Sequence, residues 1–291
     1  MPTFSIDGQL VNSEAANISV MDHGLLYGDG VFEGLRFYNK RVFCCAEHLD
    51  RLADSACAIG LKLPMPCQQM VQAIEATVEA SDQRDGYIRL IVTRGAGPLG
   101  IDSTLCANPR TIIIVDQLSL VPDVILQKGI KVIVAATRRF SPDQLDPRIK
   151  SLNYLNQIMA RREATAAGAS EAILLNQWGR IAEGSADNIF IVKAGVLMTP
   201  PISEGALDGI TRKVVLQLAE QHNIATEQCP LTPMDLVTAD ECFLTGTGAE
   251  MIPVSAVGDQ HLRAQRPIFD QLQQAFQAHV RQFSDTPATS H

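Results

Sequence analysis

Short runs in which apolar and polar positions alternate, broken by turn residues, fill the first 45 residues of the chain. Phe4-Ser5-Ile6 runs into Asp7-Gly8 and Leu35-Arg36-Phe37-Tyr38 into Asn39-Lys40, so both read as strands entering hairpins. From Glu47 the period changes. Leu49, Leu52, Ala53, Ala56 and Ile59 keep helical spacing as far as Gly60, a residue that stops helices. A second helix is expected from Pro66 to Ala80, followed by strands at Tyr87–Thr93 and Thr111–Val115, which together make an α+β unit. Asp116 to Leu126 holds a proline and no period, and reads as a linker. Beyond it, strand signals at Ile130–Ala136, Glu171–Leu175, Asn188–Val192 and Glu241–Leu244 alternate with helical ones at Leu152–Ala167, Thr211–His222 and Pro267–Phe283. The expectation is a small N-terminal α+β domain over residues 1–116, a linker over 117–126 and a larger α/β domain over 127–291, with Ser284–His291 a frayed tail.

A chain of 291 residues has room for two such cores. Its formal charge of −8 argues against a nucleic acid or an anionic membrane as main partner, so an anionic ligand must be held by local groups. The seven cysteines are odd in number and form no Cys-x-x-Cys, which points to a reducing cytoplasm. Neither an export signal nor a membrane anchor is expected, and no metal-ligand spacing stands out.

Candidate chemistry concentrates in two stretches 183 − 150 = 33 residues apart. Arg148-Ile149-Lys150-Ser151-Leu152-Asn153-Tyr154 places a lysine among small and apolar residues, and Ala182-Glu183-Gly184-Ser185 places a carboxylate in what reads as a Gly/Ser turn before a strand. These are the two groups that pyridoxal phosphate chemistry asks for: an amine to form the Schiff base and a carboxylate to keep the pyridine nitrogen protonated. Of seven lysines, those at 40, 62, 128 and 193 sit in or near turns or a proline loop, Lys131 suits a strand pair and Lys213 opens a helix. Lys150 remains. Leu207-Asp208-Gly209-Ile210-Thr211 offers a close-approach glycine and a helix N-terminus for a phosphate, although Asp208 and Thr211 also read as ordinary capping residues. Thr245-Gly246-Thr247-Gly248 is a second amide-rich turn.

With Tyr27-Gly28-Asp29-Gly30-Val31-Phe32-Glu33-Gly34 upstream and Gly246-Thr247-Gly248-Ala249-Glu250 downstream, these segments resemble the class IV (fold type IV) pyridoxal phosphate aminotransferases, and within them the branched-chain amino acid aminotransferases. The resemblance implies the two-domain α+β / α/β architecture shared with D-amino acid aminotransferases. It implies pyridoxal 5′-phosphate held by Arg51, Lys150, Tyr154, Glu183, Leu207, Gly209, Ile210, Thr211 and Thr247, with Lys150 catalytic. Substrate contacts fall by the same resemblance on Tyr27, Phe32, Arg36, Tyr87, Arg89, Gly248 and Ala249, with the loop Gly95 to Ile101 reaching a neighbouring subunit of a homodimer or higher oligomer. Strand alternation puts Tyr87 and Arg89 on one side. The implied reaction moves the amino group of L-leucine, L-isoleucine or L-valine to 2-oxoglutarate. A D-amino acid transaminase and an aminodeoxychorismate lyase share the scaffold. Against the first stands Gly95-Ala96-Gly97-Pro98-Leu99-Gly100, which lacks an Arg-x-His pair; against the second stand Glu33-Gly34-Leu35-Arg36 and Tyr87-Ile88-Arg89.

Overall fold

A computed structural model describes residues 1–117 and 122–285. By its internal contacts the chain divides into two compact units. One takes in residues 1–117, Ile149–Asn153 and 280–285; the other takes in 122–148 and 154–279.

The first unit is built on strands β1 (Thr3–Ile6), β2 (Gln9–Val11), β3 (Gly30–Tyr38), β4 (Arg41–Val42), β5 (Gly86–Thr93) and β6 (Arg110–Asp116), in the order β2-β1-β6-β5-β3-β4, every pairing antiparallel. Alternation sorts the side chains of its middle strands. Val31, Leu35 and Phe37 on β3 and Ile88, Leu90 and Val92 on β5 form one core with Leu49 and Leu52 of helix α2 (Cys45–Ala58) and Met70 and Ile74 of α3 (Cys67–Ala80). The register Gly34↔Arg89 and Arg36↔Tyr87 sets Phe32, Arg36, Tyr87 and Arg89 together on the opposite face. A short helix, α1 (His23–Tyr27), precedes β3.

In the second unit β7 (Ile130–Val134), β8 (Glu171–Leu175), β9 (Ile181–Gly184), β10 (Asn188–Lys193), β11 (Val196–Thr199), β12 (Thr226–Gln228), β13 (Glu241–Gly246) and β14 (Glu250–Val257) lie in the order β12-β11-β10-β13-β14-β7-β8-β9, with β15 (Gln260–His261) on β14. The sheet is mixed: β14–β7, β7–β8 and β11–β12 are parallel. Its core joins Ile173, Ile189, Ile191, Leu244 and Val254, and helix α5 (Leu155–Ala166) adds Ala160 and Ala164 against Ala172 and Leu174. Helices α6 (Ile210–Gln221), α7 (Pro233–Val237) and α8 (Pro267–Asp285) follow, the last packing Phe269 on Phe243.

Three elements differ from the sequence reading. The expected linker falls partly outside the described residues, and its end belongs to helix α4 (Asp123–Lys128), which starts on Pro122. The helix expected from Leu152 begins at Leu155, because residues 150–152 hydrogen-bond to β3 instead. Of the tail expected to fray, Ser284 and Asp285 continue α8, and residues 286–291 lie outside the described residues.

Candidate active site

Within the first unit Lys150 is strapped to a strand. Phe32 N–H donates to the Lys150 carbonyl (3.0 Å) and Leu152 N–H to that of Gly30 (2.9 Å), with Ser151 bridged to Val31. The Lys150 N–H donates to Ser55 Oγ of α2 (3.1 Å). So the backbone is fixed on both sides of the side chain, whose Nζ lies 4.7 Å from the centre of the Phe32 ring. The other lysines sit differently. Lys40, Lys131, Lys193 and Lys213 face the carboxylates of Glu79, Asp259, Asp235 and Asp208, and Lys62 and Lys128 are exposed.

Arg51 on α2 is tied to β3. Its Nε and Nη2 donate to the two oxygens of Glu33 (2.7 and 2.8 Å), and His48 Nδ1 donates to Glu33 Oε2 (2.7 Å). Glu33 stands on the core face of β3 at 0% exposure. Burial pushes its carboxyl up, but the hydrogen bonds from Arg51 and His48 and the charge of Arg51 outweigh this and hold it at about 2. For His48 burial wins and its pKa is lowered, which keeps the ring neutral with hydrogen on Nδ1. A bidentate carboxylate fixes the plane of a guanidinium, so Arg51 is a pre-aimed cation.

On the other face of the sheet Phe32, Tyr87 and Arg89 form a stack: the Arg89 guanidinium lies 4.6 Å from the Phe32 ring and 5.5 Å from that of Tyr87. Gly34 makes room for it, since a β-carbon there would meet Tyr87 Oη at 1.9 Å. Arg36 is buried in the same row. Tyr27 closes α1, and its hydroxyl accepts the Gly100 N–H at 2.9 Å.

In the second unit Glu183 lies on β9 rather than in a turn. The strand pairs Leu174 with Glu183, and the Gly/Ser turn comes after it. Its Oε1 faces Arg139 Nε at 2.8 Å, an ionic contact whose N–H is not aligned as a hydrogen bond, and its Oε2 accepts the Leu207 N–H at 2.8 Å. The Leu207 carbonyl in turn accepts from Asn188 Nδ2 (2.9 Å). The chain entering α6 is thereby pinned through one residue. That helix starts on Gly209, which has no side chain to cap it, and a helix N-terminus beside the buried Thr211 suits an anion. Thr247, Gly248 and Ala249 form the turn between β13 and β14, where a β-carbon on Gly246 would meet Asp187 Oδ1 at 2.1 Å. Tyr154 stands half-buried at the N-terminus of α5. Each unit thus carries groups of the kind a phosphate-bearing pyridine aldehyde needs: a strapped lysine and a braced arginine in the first, a helix N-terminus and a buried carboxylate in the second. Among the described residues no group of His, Cys, Asp and Glu has the arrangement of a metal site.

The sequence reading missed Glu33, His48, Arg139 and Asn188. Glu33 carried a signal: an acid in phase with Val31, Leu35 and Phe37, facing a histidine and an arginine spaced i, i+3 on the next helix. Arg139 lies in an irregular segment and carried none.

These arrangements are those of an enzyme that transfers amino groups with pyridoxal phosphate. The chain belongs to the class IV aminotransferases, matching the family Amino-transferase class IV over residues 30–257. A Methanocaldococcus jannaschii protein is 47% identical over 249 residues, 86% of this chain and 85% of that protein; its name, branched-chain-amino-acid aminotransferase, is itself provisional. The D-alanine aminotransferase of Bacillus licheniformis is 34% identical over 261 residues, 90% of each chain. Among solved structures, the branched-chain amino acid aminotransferase of Escherichia coli superposes with a TM-score of 0.92 at 32% identity, covering 95% of this chain and 93% of that one.

Proposed function

We propose that the protein is a pyridoxal phosphate-dependent transaminase that moves the amino group of L-leucine, L-isoleucine or L-valine to 2-oxoglutarate. The observation that carries this reading is Lys150, whose backbone is bonded to β3 and α2 while its amine lies over the Phe32 ring. Bound pyridoxal phosphate supplies a carbonyl that condenses with amines and a protonated ring that draws electrons from the substrate Cα. Lys150 would hold that carbonyl, and its Nζ is the amine that would take and return the substrate Cα proton. Glu183 accepts a hydrogen bond from the pyridine nitrogen and keeps its proton in place. The N–H groups of Ile210 and Thr211, the Thr211 hydroxyl and Thr247 would hold the phosphate, with Gly209 letting it approach; Arg51 and Tyr154 are the further residues assigned to the cofactor.

On the substrate side the N–H groups at Thr247, Gly248 and Ala249 take the α-carboxylate. Phe32 and Tyr87 offer apolar walls to a branched side chain, while Arg36 and Arg89 supply the charge that the second carboxylate of glutamate or 2-oxoglutarate needs. A homodimer in the cytoplasm is part of the same reading. It is supported by the large apolar side chains of Leu99, Ile101 and Leu105 that the first unit exposes and by the free state of all seven cysteines.

A D-amino acid transaminase is the second reading, favoured by the likeness to the D-alanine enzyme and opposed by a loop, Gly95 to Gly100, with neither arginine nor histidine. One experiment separates them. L-leucine, D-alanine, L-glutamate and aminodeoxychorismate are added singly to the holoenzyme and the visible band of the cofactor is followed. L-leucine and L-glutamate should bleach it, and D-alanine should not. Rapid bleaching by D-alanine with inert L-leucine would overturn the branched-chain reading and leave the family intact.

A further inference from the structure

The loop after β5 contains Gly95, Gly97 and Gly100, and a stretch so rich in glycine gives up much backbone entropy to hold one shape, on the order of 1–2 kcal/mol per residue. Hydrogen bonds spread along it hold that shape. His23 N–H donates to the Gly95 carbonyl (3.0 Å), Gly97 N–H to that of Met21 (3.2 Å), His23 Nε2 to that of Pro98 (2.9 Å), and Gly100 N–H to Tyr27 Oη (2.9 Å). A carbonyl only accepts, so Nε2 carries a hydrogen. The His23 ring is 1% exposed and meets the Tyr27 ring edge-on at 5.0 Å. It also fills the space beneath the loop, since a β-carbon on Gly97 would come within 3.0 Å of His23 Nε2 and 2.4 Å of Cys106 Sγ.

The root is equally fixed. Asp22 accepts from Gly24 N–H (2.7 Å) and Thr93 Oγ1 (2.8 Å), and Arg94 donates through two nitrogens to Asp29 (2.9 Å each) and to the carbonyls of Ile59 and Gly60. Beyond the pins the loop presents Leu99 and Ile101, 74% and 89% exposed. The result is a stiff stem under an apolar tip.

We infer that His23 is a specificity-determining positioning residue: through Nε2–H on the Pro98 carbonyl and its edge against Tyr27, it fixes the Gly95–Gly100 loop and so decides which amino-donor side chains are accepted. The inference rests on the transaminase reading, in which Tyr27 is a substrate contact and this loop reaches the pocket of a neighbouring subunit. His23 touches no reacting atom and acts through the loop. Tyr27 couples the two, because its oxygen accepts from Gly100 while the same hydroxyl keeps its hydrogen to donate.

The test uses holoenzyme variants and two readouts. His23→Phe keeps the ring and its edge contact but removes the donor; His23→Gln returns an N–H at similar reach. Amide hydrogen exchange over residues 95–101, and kcat and KM for L-leucine, L-valine and L-alanine, are measured in each. In His23→Phe we expect faster exchange in the loop and a KM for L-leucine raised about tenfold, the scale of one lost hydrogen bond, with kcat within about twofold and the preference for leucine over alanine reduced. His23→Gln should restore both readouts. Gly97→Ala, which pushes the loop off an intact His23, should reproduce the shift and serves if His23→Phe does not fold. Unchanged exchange in His23→Phe, faster exchange with the donor preference intact, or equal damage in His23→Gln would each overturn the inference. The panel on the unaltered enzyme separates this from the reading beneath it, because inert L-leucine there would remove the transaminase assignment whatever the exchange data show.

Discussion

The side-chain oxygen of Asn188 lies 1.8 Å from where a β-carbon on Gly209 would sit. Asn188 is held there because its Nδ2 donates to the Leu207 carbonyl, so it cannot swing away without releasing the entry to α6. Gly209→Ala should therefore shift the first turn of α6. We expect a loss of stability of about 1–3 kcal/mol, as for overpacking in a fixed site, together with a larger loss of cofactor affinity. Thermal unfolding with and without pyridoxal phosphate measures both, and a variant that binds cofactor normally would contradict the role given to this turn.

Lys150→Ala should leave the fold intact and abolish covalent attachment of the cofactor. Mass spectrometry after borohydride reduction reads this directly. A reduced adduct at Lys213, or at any other lysine of the variant, would show that the attachment site has been misassigned.

Glu183→Gln keeps the size and the contact to the Leu207 N–H but removes the charge. Cofactor should be retained while kcat falls by about 10²-fold, the scale of one preorganised electrostatic contact. Stopped-flow half-reactions with L-leucine check it, and an unchanged rate would remove the electrostatic role.

Acid should weaken the first unit through Glu33 and His48 in the same direction. Glu33 titrates near 2 in the folded chain, below its ordinary range, so its contribution is present above about 4.3 and lost as pH falls toward 2, an effect of about 3 kcal/mol. The His48 pKa is lowered, so below about 6.5 the unfolded chain takes up a proton that the folded one refuses, and stability again falls with pH. Urea unfolding followed by circular dichroism at several pH values should show a shallower loss below about pH 4.3 in Glu33→Gln than in the unaltered protein. Parallel curves would mean that the carboxyl is not held low.

Arg89→Leu should impair the half-reaction with L-glutamate more than that with L-leucine, by about tenfold in relative kcat/KM, since only glutamate brings a second carboxylate. The stack on Phe32 and Tyr87 keeps the guanidinium on the face that also carries Arg36. Equal losses for both donors would assign the dicarboxylate to another group.

How much of this was legible depended on whether a residue's role was local. The period of 2 along β3 and β5 was enough to put Tyr87 and Arg89 on one side, and the register places Phe32 and Arg36 with them. Leu49, Leu52 and Ala56 showed the buried face of α2 by spacing alone. Glu33 was hidden because an acid among apolar residues makes sense only once His48 and Arg51 from the next helix stand against it. Glu183 was misread as a turn residue because Gly184 and Ser185 dominate the local pattern, while the pairing of β9 with β8 is set by Ile173 and Leu174, about ten residues upstream. The start of α5 was misplaced for a similar reason: Ser151 and Leu152 have partners on β3 that no window of local sequence contains.

That pairing of Ser151 with Val31 spans 151 − 31 = 120 residues. During synthesis the first stretch of β3 therefore leaves the ribosome with one edge open and waits on the order of 10 s for the segment that covers it. Until then a nascent chain exposes an unpaired strand edge and carries no lysine at that place. The reactive amine is thus issued only to chains long enough to have closed the loop, and a chain arrested before residue 150 should be both inert and prone to pair its open edge with a neighbour.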